Sequence, residues 1–194
     1  FIAGDQWVFL RGRFGELSDS SGPDGDGVWA TGGEDWWSDY RVSADVAEEM
    51  DGAGSVYLAV RFQNPKNYYA LEWLSSKGDS MRLVRCKDGI RYVISKSDGH
   101  KLDKLPFNMS VTVSGDFLVG YLNGQPVVDA YVGDFESGPM AIGEMGRKVL
   151  LDNIKVTRVV SEGKKSRFLR HLKFTSEMAP RYFLRDTGEM TIPF

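Results

Sequence analysis

The sequence predicts an all-β protein, a two-sheet antiparallel β-sandwich. Three observations lead there. Apolar residues alternate with period two along most of residues 36–159, Gly-containing turn pairs interrupt them at short intervals, and sustained helical spacing is missing. Ten or eleven strands of five to eight residues, joined by hairpins, must close on themselves or stack as two sheets to hide their edges. The 194 residues suit one domain, and 42% apolar content with 22 glycines fits a real core wrapped in tight turns.

Early strands come from "WVFLRGRF" (7–14) and "WWSDYRVSADV" (36–46). Trp36 and Trp37 are adjacent, so they point to opposite faces: one goes to the core and the other faces out. Trp29 and Trp73 are assigned to the core. "DVAEEMDG" (45–52) is the one stretch suited to a helical turn.

In "GSVYLAVRF" (54–62), Val56, Leu58, Val60 and Phe62 share a face, and in "YYALEWL" (68–74) Tyr69, Leu71 and Trp73 form the matching set. The expected register pairs Phe62 with Tyr69, Val60 with Leu71 and Leu58 with Trp73. The opposite face then holds Tyr57, Ala59 and Arg61, with Arg61 diagonal to Glu72 and within reach of a salt bridge.

"MRLVRCKDGIRYVIS" folds about Asp88-Gly89, the strongest short-range hairpin signal. It sets Met81, Leu83 and Ile94 on the core side, and Arg82, Val84 and Cys86 opposite Ser95, Val93 and Arg91 on the other. Two more reversals come at Gly115-Asp116 and Asn123-Gly124. "GPMAIG" (138–143) and "KVLLDNIKVTRV" (148–159) close the pattern. In the last of these, strict alternation turns Asp152 inward with Ile154 and Val156, where an unpaired carboxylate costs several kcal/mol. Alternation stops after Val159, so the boundary falls after residue 160. Residues 1–160 form the sandwich, and 161–194 form a C-terminal arm, a linker or the start of a further domain.

Charge excludes one class of partner. Residues 158–194 carry eight Lys/Arg and four Asp/Glu, whereas residues 1–157 carry 16 basic and 23 acidic side chains. An acidic body is a poor match for nucleic acid, whose backbone selects basic surfaces. No run of about 18 apolar residues is present, so no membrane-spanning helix is expected. The single cysteine, Cys86, rules out an internal disulfide and a multi-cysteine zinc site.

The order of these landmarks resembles a known family. "WWSDYRVSADV", "GSVYLAVRFQNPKNYYALEW", the "KDG" hairpin, "VTVSGDFLVGYLNGQPVVD", "ESGPMAIG" and "VLLDNIKV" together resemble the laminin-G-like, concanavalin-like jelly roll over roughly residues 5–157. That family serves secreted proteins and accessory modules of polysaccharide-degrading enzymes. The resemblance implies an extracellular or cell-surface location, a polysaccharide or oligosaccharide ligand, and an attached or docked catalytic domain. It also implies a structural calcium ion held by a carboxylate on the last strand, a place that Asp152 fills. "SDSSGPDGDG" (18–27) offers Asp19, Asp24 and Asp26 as further oxygen donors. The other reading of Asp152 is a carboxylate that accepts backbone hydrogen bonds at a sheet corner, with no ion.

Catalysis finds little support in the residues. The retaining-glucanase spacing Glu-x-Asp-x-x-Glu is missing, and Glu48, Glu49 and Asp51 fall in a polar stretch. The two histidines, His100 and His171, lie in a turn and in the arm, away from any strand. Binding is the stronger expectation, through aromatic platforms that stack on sugar rings and polar groups that orient hydroxyls. The non-core face supplies Tyr57, Arg61, Glu72, Arg82, Arg91 and Tyr121, with Tyr68 at its edge. Arginines beside tyrosines suit an anionic glycan. Two rival functions stay open: a glycoside hydrolase or polysaccharide lyase of the same fold, and a protein-interaction or assembly module.

Overall fold

The structure is a computed structural model that describes residues 6–8, 28–49, 54–75, 80–100, 102, 106–145, 149–159, 183–184 and 190–191. The chain divides into two compact units, 1–159 and 160–194. The first unit is a sandwich of two six-stranded antiparallel sheets. One sheet runs, in spatial order, β1 (Gln6–Val8), β12 (Val149–Arg158), β3 (Tyr40–Glu49), β8 (Phe107–Ser114), β9 (Phe117–Leu122) and β10 (Gln125–Tyr131). The other runs β2 (Val28–Gly32), β11 (Met140–Met145), β4 (Gly54–Asn64), β5 (Asn67–Ser75), β6 (Ser80–Lys87) and β7 (Ile90–Asp98). In the second unit, β13 (Phe183–Leu184) pairs antiparallel with β14 (Met190–Thr191). No helix among the described residues is long and apolar enough to cross a membrane.

The alternating residues build the core as expected. Val42 and Val46 of β3, Val56, Leu58 and Val60 of β4, Leu71 and Trp73 of β5, and Val111 of β8 join one buried cluster with Ile154 and Val156 of β12. Each such side chain contributes about 1.5–3 kcal/mol when fully removed from water. The turns form where the sequence places them. Asp88 and Gly89 take φ +53 and +79, and Asn123 and Gly124 take +48 and +78, the paired positive angles of type I′ hairpins. Cys86 pairs with Arg91 and Val84 with Val93, as expected, but a bulge moves the partner of Arg82 from Ser95 to Lys96.

Three local expectations are corrected. First, β4 and β5 pair two residues away from the expected register: Val60 meets Tyr69, Leu58 meets Leu71 and Val56 meets Trp73. The faces are kept but the partners move, because residues 61–63 bulge from the ladder before Asn64 meets Asn67. Arg61 takes φ +48 in that bulge, and Phe62 leaves the main core for the opposite face.

Second, Asp152 does not point inward. A bulge between Asp152 and Lys155, with Asn153 at φ +51, breaks the alternation, so Leu151 and Ile154 are both buried while Asp152 is exposed. Its Oδ1 accepts the Asn153 N–H at 2.8 Å. The chain thus avoids desolvating the carboxylate. Third, β3 continues as strand to Glu49, where a helical turn was expected from residue 45. Trp36 and Trp37 precede β3 in a turn, and they do divide, Trp37 buried and Trp36 67% exposed.

Candidate functional site

Five of the seven expected ligand-binding residues share the outer face of the β4–β7 sheet, but most of that face is closed. Tyr57, Tyr68 and Glu72 are no more than 1% exposed. The Trp29 ring lies 5.7 Å from the Tyr57 ring, 5.1 Å from Phe62 and 4.9 Å from Tyr68, measured between centroids. These rings form a second buried cluster with Ala59, Ala70, Cys86 and Ala141. Gly143 makes room for it, since a Cβ there would stand 2.7 Å from the indole. Trp29 is therefore buried as expected, but in this outer cluster and not in the main core.

Glu72 is fully occupied by its neighbours. Oε1 accepts from Ser55 Oγ at 2.7 Å and Tyr57 Oη at 3.0 Å, and Oε2 pairs with Arg91 and lies 4.0 Å from Arg82. Burial, reinforced by the Glu72 charge, pushes the Tyr57 hydroxyl up to about 12. Burial likewise raises Tyr68 and the Cys86 thiol, and for Cys86 it outweighs the lowering by Arg91. Tyr121 belongs to the other sheet, with the Arg41 guanidinium 4.3 Å from its ring centroid. The expected open platform is a buried aromatic layer around an occupied Glu72 carboxylate.

Arg61 is displaced furthest from its expected role. Its left-handed backbone turns it to the end of the sandwich, and it does not pair with Glu72. The buried guanidinium donates to Ser38 O at 2.9 and 3.1 Å, Phe135 O at 2.8 Å and Gly115 O at 2.8 Å, with Asp39 at 3.6 Å. The Arg61 backbone N–H donates to Tyr40 Oη at 2.6 Å. Gly138, at φ +145, permits the close approach, since a Cβ there would sit 2.9 Å from the Arg61 carbonyl carbon. One cation thereby gathers three loops: 33–39, the turn at 115–116 and 132–139.

Two of those loops border a cleft of about 320 Å³ lined by Arg85, Ile94, Asp116, Tyr131, Val132, Gly133 and Asp134. It opens where β10 and β7, the end strands of their sheets, come together. Asp134 accepts from Lys87 Nζ at 2.6 Å and from Arg85 at 3.1 Å. The Lys87 hydrogen bond holds the Asp134 carboxyl below its usual range, and the same bond raises Lys87. Tyr69 Oη accepts the N–H groups of Asp134 and Phe135 at 2.7 and 3.2 Å. Tyr131 is 62% exposed and rests against Phe117 at 3.9 Å, and Tyr92 is 44% exposed with Arg85 4.9 Å from its centroid. The cleft therefore offers aromatic surface beside fixed donors and acceptors.

The sequence alone singles out none of these cleft residues. One signal is present in it: Arg85 and Lys87 continue the phase of Met81 and Leu83 on β6, so two cations succeed the core-facing set and call for a carboxylate. For the expected calcium, Asp24 and Asp26 lie outside the described residues. Asp152 pairs across the strands with Asp45, whose oxygens accept from the Asn108 and Asn153 side chains at 2.7 and 2.8 Å. Among the described residues no group of three or more His, Cys, Asp or Glu side chains is gathered for a metal.

No family model matches the sequence, and no curated protein matches it. Solved structures do share the fold. The carbohydrate binding module CBM66 from Bacillus subtilis is 20% identical with a TM-score of 0.57, over 68% of this chain and 81% of that one. The galectin LEC-6 of Caenorhabditis elegans is 9% identical with a TM-score of 0.51, over 66% and 89%. The enzymatically active domain of bacteriophage CBA120 tailspike protein 2 is 11% identical with a TM-score of 0.50, and this chain spans only 26% of it. The chain is a jelly-roll-like β-sandwich, similar in fold to this carbohydrate binding module and this galectin.

Proposed function

We propose that the sandwich is a non-catalytic carbohydrate-binding module of a secreted or cell-surface protein, and that it holds sugar in the cleft between β7 and β10. The observation that carries this reading is the cleft itself, lined by exposed Tyr131 with Arg85, Asp116 and Asp134, and with exposed Tyr92 against Arg85. Aromatic faces stack on the apolar side of a sugar ring, while fixed carboxylates and guanidinium groups accept from and donate to its hydroxyls. The volume lies at the low end of the roughly 300–1,000 Å³ typical of small-molecule sites, which suits a single sugar unit or a chain end. The likeness of fold to a carbohydrate binding module and a galectin agrees with it.

Charge selects among ligands. Arg85 and Lys87 are committed to Asp134, Arg82 and Arg91 to Glu72, and Asp116 adds a further carboxylate to the cleft. An anionic glycan would have to displace these carboxylates, so the reading favours a neutral saccharide over the acidic one the sequence suggested. Affinity on the order of micromolar to millimolar is expected of so small a site. An attached or docked polysaccharide-degrading domain, and a calcium ion involving Asp24, Asp26 and Asp152, belong to the same proposal.

The test is a glycan array of neutral and acidic saccharides, run with and without EDTA, on the protein and on Tyr131→Ala. Neutral glycans should bind and the variant should lose them. A negative across the array overturns the proposal, and release of products from the same glycans would replace binding with catalysis. Unchanged melting in EDTA removes the calcium.

A further inference from the structure

Trp36 is the most exposed large apolar side chain among the described residues, at 67%. Exposure of a single apolar residue ordinarily needs no explanation. Here the surroundings matter. Its neighbour Trp37 is buried and packs on Tyr40 at 5.6 Å between centroids. The loop is braced along its length: Trp37 N–H donates to Glu34 O at 3.1 Å, Gly138 N–H to Trp37 O at 2.9 Å, and Gly115 N–H to Asp39 Oδ1 at 2.6 Å. Ser38 O takes two hydrogen bonds from Arg61. A large ring held out to solvent on a fixed backbone loses little conformational freedom when a ligand stacks on it, which is what makes such a group effective in recognition.

The position of Trp36 relative to the cleft is set by Arg61. The guanidinium that binds Ser38 O also binds Gly115 O, next to Asp116, and Phe135 O, next to Asp134. Two residues of chain reach at most about 7 Å, so the Trp36 backbone lies within about 20 Å of the backbone of both cleft carboxylates. A chain of a few sugar units covers such a span.

Building on the cleft reading, we infer that Trp36 is a second stacking platform, and that the ligand is an oligosaccharide or polysaccharide chain which occupies the cleft with one unit and lies on Trp36 with another. The cleft then supplies direction through its hydrogen bonds, and Trp36 supplies dependence on chain length.

Calorimetric titration tests this with glucose, galactose and fructose and with their homo-oligomers up to the hexamer. For the wild-type protein, affinity for the sugar that binds rises with length by about tenfold, the increment of one aromatic stacking contact of about 1.4 kcal/mol. In Trp36→Ala that rise disappears, and in Trp36→Phe most of it returns. Tyr131→Ala loses binding at every length. A wild-type affinity independent of length, or a rise retained in Trp36→Ala, overturns the second platform and leaves the cleft standing. Failure of the wild-type protein to bind any member of the series overturns the cleft and the platform together.

Discussion

Tyr69 and Asp134 stand 65 residues apart and are joined at two points: the Tyr69 hydroxyl accepts the Asp134 backbone N–H at 2.7 Å and approaches its carboxylate at 3.5 Å. A core strand thus fixes the loop that forms one wall of the cleft. Tyr69→Phe leaves the Asp134 and Phe135 N–H groups without this acceptor while preserving the ring's packing. It should lower stability by about 1–3 kcal/mol, read as a shift in the urea midpoint with unchanged slope. It should also weaken saccharide binding, and an unaltered midpoint would show that the loop does not depend on this contact.

The Asp134–Lys87 pair gives the cleft wall a pH dependence. Asp134 is held below its ordinary 3.8, so its contribution is complete above that value and fades as the pH falls through the depressed one. Lys87 is held above its ordinary 10.5, so its contribution is complete below that value and is lost as the pH rises through the raised one. A carboxyl-carbon NMR titration should show Asp134 titrating below its ordinary 3.8. Lys87→Met should return it toward that value, and a normal Asp134 titration in the wild-type protein would contradict the pairing.

Arg61→Lys tests whether charge or shape is the essential property. A lysine keeps the cation near Asp39 but cannot fork among Ser38, Phe135 and Gly115, so several carbonyls lose their donor. The buried site should lose about 2–5 kcal/mol, and Trp36 fluorescence should report loosening of its loop. Stability within experimental error of wild type would reduce Arg61 to a simple counter-charge.

Glu72→Gln should separate the two causes of the Tyr57 shift. Burial is the larger and the Glu72 charge the smaller, so the Tyr57 titration should fall from about 12 yet stay above the ordinary 10.0. Stability should drop by about 1–3 kcal/mol because Arg91 and Arg82 keep their charges without a partner, partly screened by water. A Tyr57 value back at 10.0 would mean the surrounding aromatic layer does little to exclude solvent.

Alternation and turn chemistry make the strands, the hairpins and the buried set legible in the amino-acid sequence. They do not show where alternation breaks. Arg61 and Asn153 both adopt left-handed angles without being glycine, and each reverses the facing of the residues after it. Asn153 carries a hint, since Asn tolerates that region, whereas Arg61 carries none. The outer face departs from expectation because Phe62 crosses to it and Trp29 covers it, both consequences of tertiary placement. The cleft is hidden in the sequence because its acid, Asp134, is distant along the chain from the cations that hold it. Only the phase of Arg85 and Lys87 on β6 points to a partner.

The strand order places the cleft between β7 and β10, each the last member of its sheet. Ile94 and Tyr131, the lining residues on those two strands, are attached to the framework along one side only. Substitutions on that margin can therefore reshape the opening while Val56, Leu58 and Leu71 in the core keep their mutual fit.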